Sequence, residues 1–236
     1  MVQKLILNKD DLKIMYKLAN DIAKKSKKKC FRNIFIDDSG MIGADETRLG
    51  KYSKITFDKK LTIPVEVIEA IKILTPDSIE IELINDLVEI TLKDNLNQTI
   101  FSIVFKYQNP YQINFKNIEL KKYTCSEIFE IEADELKHSI TYLSKKSSTC
   151  IFEIKSREVE LVAIDDNNNE IERINIKSIK STSSIKIAFE INYILDYLKN
   201  LKNKAIKMHF INSSSLVCFE ECENIYEYIL MPVALV

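Results

Sequence analysis

Residues 186–236, KIAFEINYILDYLKNLKNKAIKMHFINSSSLVCFEECENIYEYILMPVALV, read as one complete small unit. A β-branched and aromatic run from Ile185 to Phe189 predicts a strand. Apolar residues then recur at Ile191, Ile194, Leu195, Leu198 and Leu201 with polar residues between them, which is helical spacing. Three further strand-like runs follow, Ala205 to Ile211, Leu216 to Glu220 and Tyr226 to Met231, separated by Asn-Ser-Ser-Ser and Glu-Cys-Glu-Asn turns. The unit is β-α-β-β-β. An apolar tail comes after it, Met231-Pro232-Val233-Ala234-Leu235-Val236, of the kind that is hidden against a surface or offered as part of one.

The same order of elements recurs three more times upstream. Gln3 to Leu7 predicts a strand, and Asn8 or Asp10 can cap a helix that runs to about Lys27 on the apolar stripe Leu12, Met15, Leu18, Ala19 and Ile22. Strands are expected at Cys30 to Ile36, Met41 to Ala44 and Leu49 to Phe57. The next unit opens at Lys60 to Ile63, and Pro64 occupies the first turn of a helix with Val65, Ile68, Ile71 and Leu74 on its apolar face. Its strands are Ser78 to Ile84, Leu87 to Leu92 and Thr99 to Tyr107, with Asn85-Asp86 and Asp94-Asn95 as turns. Asn109-Pro110 stops the pattern, and a polar connector, about Lys116 to Ser126, leads to the third unit. That unit has strand Ile128 to Ile131, helix Ala133 to Lys146 and strands Cys150 to Lys155, Glu158 to Ile164 and Glu170 to Ile176.

The repeat is visible in residues as well as in pattern. Asp11-Leu12-Lys13 matches Glu135-Leu136-Lys137, and Lys-Lys-Ser precedes Cys30 and Cys150 in both halves. Ile63 to Leu74 echoes Phe189 to Leu201, so the offset stays at about 120 to 126 residues. The chain is expected to be two copies of a domain, 1–118 and 119–236, each a doubled β-α-β-β-β unit. Two unrelated α+β domains would be the other source of such an alternation.

With 236 residues and 46% apolar content the chain can bury two ordinary cores. Three glycines argue against a phosphate-binding enzyme fold. No run approaches the roughly 18 to 20 apolar residues of a membrane span, and the first residues lack the apolar core of a secretion signal, so a soluble, cytoplasmic protein is expected. Five cysteines in a chain of this size point to reduced thiols rather than a disulfide framework. The net charge of −1 excludes a uniformly basic nucleic-acid binder. Its distribution is uneven, for residues 1–32 hold ten basic and three acidic side chains.

At this point the residues carry a family resemblance. The chain resembles the middle and C-terminal domains of the bacterial DNA polymerase III beta subunit, the sliding clamp. FEINYILDYLKNL and YEYILMPVALV are similar to the clamp's final helix and its closing tyrosine-rich strand with a Met-Pro pair. Ala44-Asp45-Glu46-Thr47-Arg48-Leu49 is similar to the family's Thr-Asp-Gly-His-Arg-Leu element, and Asn109-Pro110-Tyr111 stands where the family has Phe-Pro-Asp-Tyr. The resemblance covers nearly the whole chain, with no counterpart of the family's N-terminal domain. It implies the α+β DNA clamp fold, with helices on one face of curved antiparallel sheets. It implies a non-enzymatic processivity factor, associated with the nucleoid, that encircles double-stranded DNA without reading its sequence and needs no cofactor. A DNA polymerase, a clamp loader and other proteins with clamp-binding motifs would be its partners. Two domains per chain would close a six-domain ring as a homo-trimer, the edge of the first domain pairing with the far edge of the second. The alternative is a monomeric adaptor or decoy that keeps a peptide groove but no ring.

A clamp needs helices with one face in the core and a basic face toward phosphates. The first helix offers Lys13, Lys17 and Lys24, with Lys25, Lys27, Lys28 and Lys29 at its end, where cations also suit the helix dipole. The third offers Lys137, Lys145 and Lys146, and the fourth Lys199, Lys202 and Lys204. The second does not fit, because Glu66 and Glu69 outnumber Lys72. Lysines that merely solvate helix faces would look the same residue by residue. The family's peptide groove, carried over by position, would be walled by Phe31, Ala44, Thr47, Arg48, Leu49, Pro110, Tyr193, Ile229, Met231, Pro232, Val233 and Leu235. Glu46 replaces the family's glycine there, Thr47 its histidine, and Ala234 stands where an arginine is common.

Catalytic and metal chemistry find little footing. His138 and His209 have no nucleophile or carboxylate at a suggestive spacing, and Cys218 and Cys222 lack the further ligands of a zinc set. Asp37-Asp38 and Asp165-Asp166 occupy equivalent positions of the repeat and read as turn residues.

Overall fold

Residue contacts in the computed structural model divide the chain into two compact units, Met1–Ile113 and Asn114–Val236. The structure describes residues 4–107, 127–155, 158–181, 184–199, 201, 205–221 and 226–234. The connector at 116–126, the Asn109-Pro110-Tyr111 stretch and the 118/119 division lie outside the described residues.

The first unit runs β1 (Lys4–Asn8), α1 (Lys9–Lys17), β2 (Asn33–Asp37), β3 (Gly40–Ala44), β4 (Arg48–Tyr52), β5 (Leu61–Pro64), α2 (Val65–Leu74), β6 (Ser78–Ile84), β7 (Leu87–Lys93) and β8 (Thr99–Lys106). The second runs β9 (Glu127–Glu132), α3 (Ala133–Leu143), β10 (Thr149–Ile154), β11 (Glu158–Ile164), β12 (Glu170–Ser181), β13 (Ile185–Glu190), α4 (Ile191–Leu198), β14 (Ala205–Phe210), β15 (Val217–Glu221) and β16 (Tyr226–Leu230). Each unit is therefore β-α-β-β-β twice over.

All described strand pairings are antiparallel, and the leading strands are exchanged. In the first unit β1 joins the second half in the order β1-β6-β7-β8, while β5 joins the first half in the order β5-β2-β3-β4. The second unit repeats this, with β13 beside β10 and β9 beside β14. There the end of β12 also pairs with β9, across a register shift between Ser178 and Lys180. Exchange ties the halves of each unit into one core, since neither sheet is complete without a strand from the other.

Local chemistry explains the helix boundaries. Asn8 closes a capping box at α1: its Oδ1 accepts the amides of Asp10 and Asp11 at 2.9 and 3.1 Å, and Asp11 Oδ2 accepts the Asn8 amide at 3.2 Å. Leu12, Met15, Leu18, Ala19 and Ile22 are all buried, as their spacing requires. Regular helix nonetheless ends at Lys17, followed by a π-helical turn, Leu18–Ile22, and a 3₁₀ turn, Ala23–Lys25. Ser26 is already extended, so the expected helix to Lys27 is shorter and less regular. Lys27 and Lys28 lie in a loop, and Lys29, Cys30 and Phe31 form a 3₁₀ turn where a strand was expected. The strand expected over Leu49 to Phe57 stops at Tyr52, although Ile55 and Phe57 remain buried. Pro64 caps α2 rather than occupying its first turn, and Thr75 closes that helix in the left-handed conformation.

The helices lie over their sheets with apolar faces buried, and within each unit the two helices pack together. An aromatic cluster fills the second unit. Phe152 meets Phe189 edge to face at 5.3 Å, Phe189 meets Phe219 at 5.7 Å, and Tyr197 stacks on Tyr228 at 5.2 Å. These rings come from β10, β13, α4, β15 and β16, so the cluster joins both halves. No helix of the described residues is long and apolar enough to cross a membrane.

Candidate DNA-facing lysines and peptide-binding surface

The lysines expected to face DNA divide by the partners they already hold. Lys13 pairs with Asp10 at 2.8 Å, Lys199 with Asp196 at 2.9 Å, Lys24 with Glu69 and Lys146 with Glu172. Lys17 and Lys25 have intramolecular partners as well. Lys27, Lys28, Lys29, Lys137 and Lys145 are exposed and have no ion-pair partner among the described residues. Lys202 and Lys204 lie outside the described residues.

The acidic second helix is balanced by the first half of its unit. Glu69 holds Lys24, Arg32 reaches Glu66 at 3.1 Å, and Lys72 Nζ stands 5.9 Å from the Tyr16 ring centroid. Exposed pairs of this kind are each worth about 0–1 kcal/mol, so phosphates can compete for their lysines. The sequence shows Glu66 and Glu69 as a misfit because their partners stand more than thirty residues upstream. In the turn just past α3 the ammonium of Lys146 pairs with Glu172, which raises its pKa above the ordinary lysine range, and lies 4.8 Å from the Tyr142 ring centroid.

In the first unit the expected groove residues gather at the turn between β3 and β4. Asp45 organises it: its Oδ1 accepts the Thr47 amide at 2.9 Å, the Thr47 hydroxyl at 3.0 Å and the Arg48 amide at 2.9 Å. Its Oδ2 accepts Arg48 Nε at 2.7 Å, with both side chains out of solvent. Ala44 and Leu49 are buried as a cross-strand pair, Thr47 is half-buried, and Phe31 is half-buried on the preceding 3₁₀ turn. Arg48 is thus committed to the turn by its charge.

In the second unit Tyr193 and the last strand come together. Tyr228 Oη donates to the Tyr193 carbonyl at 3.1 Å, and Ile229 is buried beside it in β16. The tail is half offered: Met231 is 50% and Val233 41% exposed, while the Val233 amide donates to the Ala188 carbonyl at 2.8 Å. Main-chain pairing therefore fixes a segment whose apolar side chains face outward. Pro110 and Leu235 lie outside the described residues.

Two side chains that the spacing arguments passed over prove central. Ser26 is buried and its hydroxyl lies 3.0 Å from Glu46 Oε1, which also accepts the amides of Lys27 at 3.1 Å and Lys28 at 2.9 Å. The signal was present, for Ser26 is the serine of the repeated Lys-Lys-Ser. Burial raises the Glu46 carboxyl, but the hydrogen bonds from its own amide, Ser26, Lys28 and Lys27 outweigh this and hold it below the usual carboxylate range.

His209 Nε2 lies 2.7 Å from Glu220 Oε2 in the second sheet of its unit. Asp37 and Asp165 accept the amides of Ser39 and of Asn167 and Asn169, the pattern of turn residues. Among the described residues no group of three or more His, Cys, Asp or Glu side chains is placed to hold a metal ion.

The fold is that of solved clamps. It superposes on 99% of this chain and 66% of the Helicobacter pylori beta clamp bound to a DNA ligase peptide, with a TM-score of 0.81 and 18% identity. The DNA polymerase sliding clamp of Pseudomonas aeruginosa gives 0.79 at 14% identity, over 98% of this chain and 67% of that one. The chain thus spans about two thirds of the length of these structures. In sequence, residues 124–234 match the family described as DNA polymerase III beta subunit, C-terminal domain. A beta sliding clamp from Actinobacillus pleuropneumoniae is 33% identical over 52 residues, 22% of this chain and 81% of that sequence. Two halves with exchanged strands, a tyrosine-rich closing strand and these matches agree, and the chain belongs to the DNA polymerase III beta subunit family, the sliding clamps.

Proposed function

We propose that this chain acts as a sliding clamp: three copies, with two clamp units each, close a ring around duplex DNA, and peptide contacts tether a polymerase or another DNA-acting protein. The observation that carries the ring is a contrast between equivalent sheet edges. By the repeat, β8 corresponds to β16 and β12 to β4. β4 and β16 are buried, whereas β8 leaves Ile100, Phe101 and Val104 about half exposed and β12 leaves Ile171 45% exposed. Residues 170–177 of β12 pair with β11 alone among the described pairings, and β8 pairs with β7 alone. Free apolar edges are sites for strand addition, and one edge of each kind per copy suits head-to-tail closure.

Exposed Lys27, Lys28, Lys29, Lys137 and Lys145 supply attraction to phosphates that carries no sequence information. The Thr47–Arg48 turn of the first unit and the outward Met231–Val233 tail of the second are each candidates for peptide contact, and a Helicobacter pylori relative is solved with a DNA ligase peptide.

Light scattering over a range of protein and salt concentrations tests the assembly. A mass about three times the chain's 27.4 kDa is expected. A stable monomer at tens of micromolar, retaining peptide but sliding off circular DNA, would replace the ring by an adaptor.

A further inference from the structure

The loop that carries Lys27, Lys28 and Lys29 is built on the same local motif as its counterpart in the second unit, with one addition. In both, a serine follows Lys-Lys and bonds around its own residue i+2. Ser26 Oγ accepts the Lys28 amide at 3.0 Å and faces the Lys28 carbonyl at 3.1 Å; Ser147 Oγ accepts the Thr149 amide at 2.9 Å and faces the Thr149 carbonyl at 2.9 Å. In the second unit the hydroxyl also meets the backbone carbonyl of Ile164, at the end of β11. In the first unit the corresponding place, past the end of β3, belongs to the side chain of Glu46. One carboxylate oxygen there gathers the Ser26 hydroxyl and two successive loop amides. Those amides belong to Lys27 and Lys28, whose ammonium groups have no ion-pair partner among the described residues.

We infer that Glu46 is a positioning residue for DNA engagement: it clamps the backbone of residues 26–28 to the β3–β4 turn, so that the three lysines are presented from a fixed loop rather than a mobile one. The inference rests on the reading that this loop meets DNA. The chemistry has two opposing parts. The carboxylate adds a negative charge beside three cations, which weakens the local attraction to phosphate. Its three hydrogen bonds fix the loop that follows the 3₁₀ turn, and two of them hold amides that would otherwise exchange freely with water. Ordering a loop before binding removes part of the cost of ordering it during binding. Because Glu46 sits between Asp45 and Thr47, it also joins the lysine loop to the turn assigned to peptide binding. The clamp therefore has one side chain common to both surfaces of its first unit.

The two parts separate by substitution. In Glu46→Gln the amide oxygen still accepts from Lys27 and Lys28 and the charge is gone. In Glu46→Ala the charge and the acceptor are both gone. Binding of the full chain to a short linear duplex, measured against salt, should hold or rise in Glu46→Gln and fall roughly fivefold in Glu46→Ala. Hydrogen exchange at the Lys27 and Lys28 amides should quicken about tenfold in the alanine variant only. The urea midpoint should stay close to the parent's in both, since Glu46 and the two amides are exposed and the buried Ser26 hydroxyl keeps the Lys28 carbonyl as a partner. Equal gains in DNA affinity for the two variants would overturn the inference and leave Glu46 as a repulsive charge alone. Unchanged exchange in Glu46→Ala would overturn it as well. The underlying reading has its own control: Lys27→Ala, Lys28→Ala and Lys29→Ala together should lower the slope of log affinity against log salt by roughly 2 to 3. A triple variant with the parent's slope and affinity would remove this loop from the DNA surface, whatever the exchange data show.

Discussion

Single residues in the first unit bury charge where the sequence shows only polar turn chemistry. Asp45 and Arg48 stand three apart, a spacing that predicts a turn, yet both side chains are withdrawn from water and bonded at 2.7 Å. A buried pair gains little over an apolar one, but breaking it strands a charge. Arg48→Ala should therefore cost about 3–5 kcal/mol in urea unfolding, far more than an exposed pair such as Lys13 with Asp10. Asp11 serves in the α1 capping box, as acceptor for Tyr52 Oη at 3.2 Å and as ion-pair partner of Lys54 at 4.0 Å. Burial together with the Asp11 charge and hydrogen bond pushes the Tyr52 hydroxyl up to about 12; burial does the same for Tyr16 and, against an opposing hydrogen bond with the Val162 backbone, for the Cys150 thiol. These groups stay neutral in the folded chain at pH values where the unfolded chain ionises them. Folded values are raised, so their contribution is complete below the ordinary thiol value and is lost as pH climbs toward about 12. The urea midpoint should be flat up to about pH 9 and then fall, and Tyr52→Phe, which cannot ionise, should fall less steeply from a lower start.

At the scale of elements, period and punctuation were enough to find all sixteen strands and all four helices described, because each half alternates apolar runs with Asn, Asp and Ser turns. Boundaries were missed where a tertiary contact overrides local preference. The apolar stripe through Ile22 and the lysines beyond it argue for continuous helix, but the π-helical turn is pressed against β3. A Cβ placed on Gly43 would meet the Leu18 carbonyl oxygen at 2.9 Å, Leu18 Cβ at 3.0 Å and Ile34 Cδ1 at 3.1 Å. Backbone cannot yield there as a flexible side chain would. Gly43→Ala should thus destabilise the first unit by about 1–3 kcal/mol in thermal or urea unfolding, with the loss traced to the 18–22 turn by hydrogen exchange. Strand exchange was not legible either. Nothing in the pattern of Lys4–Asn8 says that its partner is Ser78–Ile84 rather than a strand of its own half, since both offer the same alternation. The groove residues came from the resemblance alone, and the spacing of Asp45 and Arg48 predicts only a turn, while the Glu46 clamp depends on a contact twenty residues back that no spacing rule encodes.

For the whole molecule the repeat makes a sharper demand than either unit alone. If equivalent elements had equivalent surroundings, β8 would be as buried as β16, yet its residues follow the pattern of a strand missing a neighbour. Phe101, Ile103 and Phe105 lie across from buried Leu92, Ile90 and Val88 in β7, on the core face of their sheet, and Ile100 and Val104 stand on the opposite face, 47% and 56% exposed. Apolar residues on both faces of an edge strand expose that edge to strand addition unless charges guard it, and Lys106 is the only charged residue of β8. Charge placed at the middle of the edge should therefore prevent assembly without harming the fold, because the replaced side chains are already half in water. Val104→Glu combined with Ile100→Lys is expected to bring the mass in light scattering down to the single chain's 27.4 kDa, with the urea midpoint measured on the dissociated protein little changed. Retention on circular DNA should vanish with the ring, while association of the unpaired lysines with short linear duplex, which needs no closure, should persist at low salt. A variant that keeps the parent's assembled mass would show that β8 is not the closing edge.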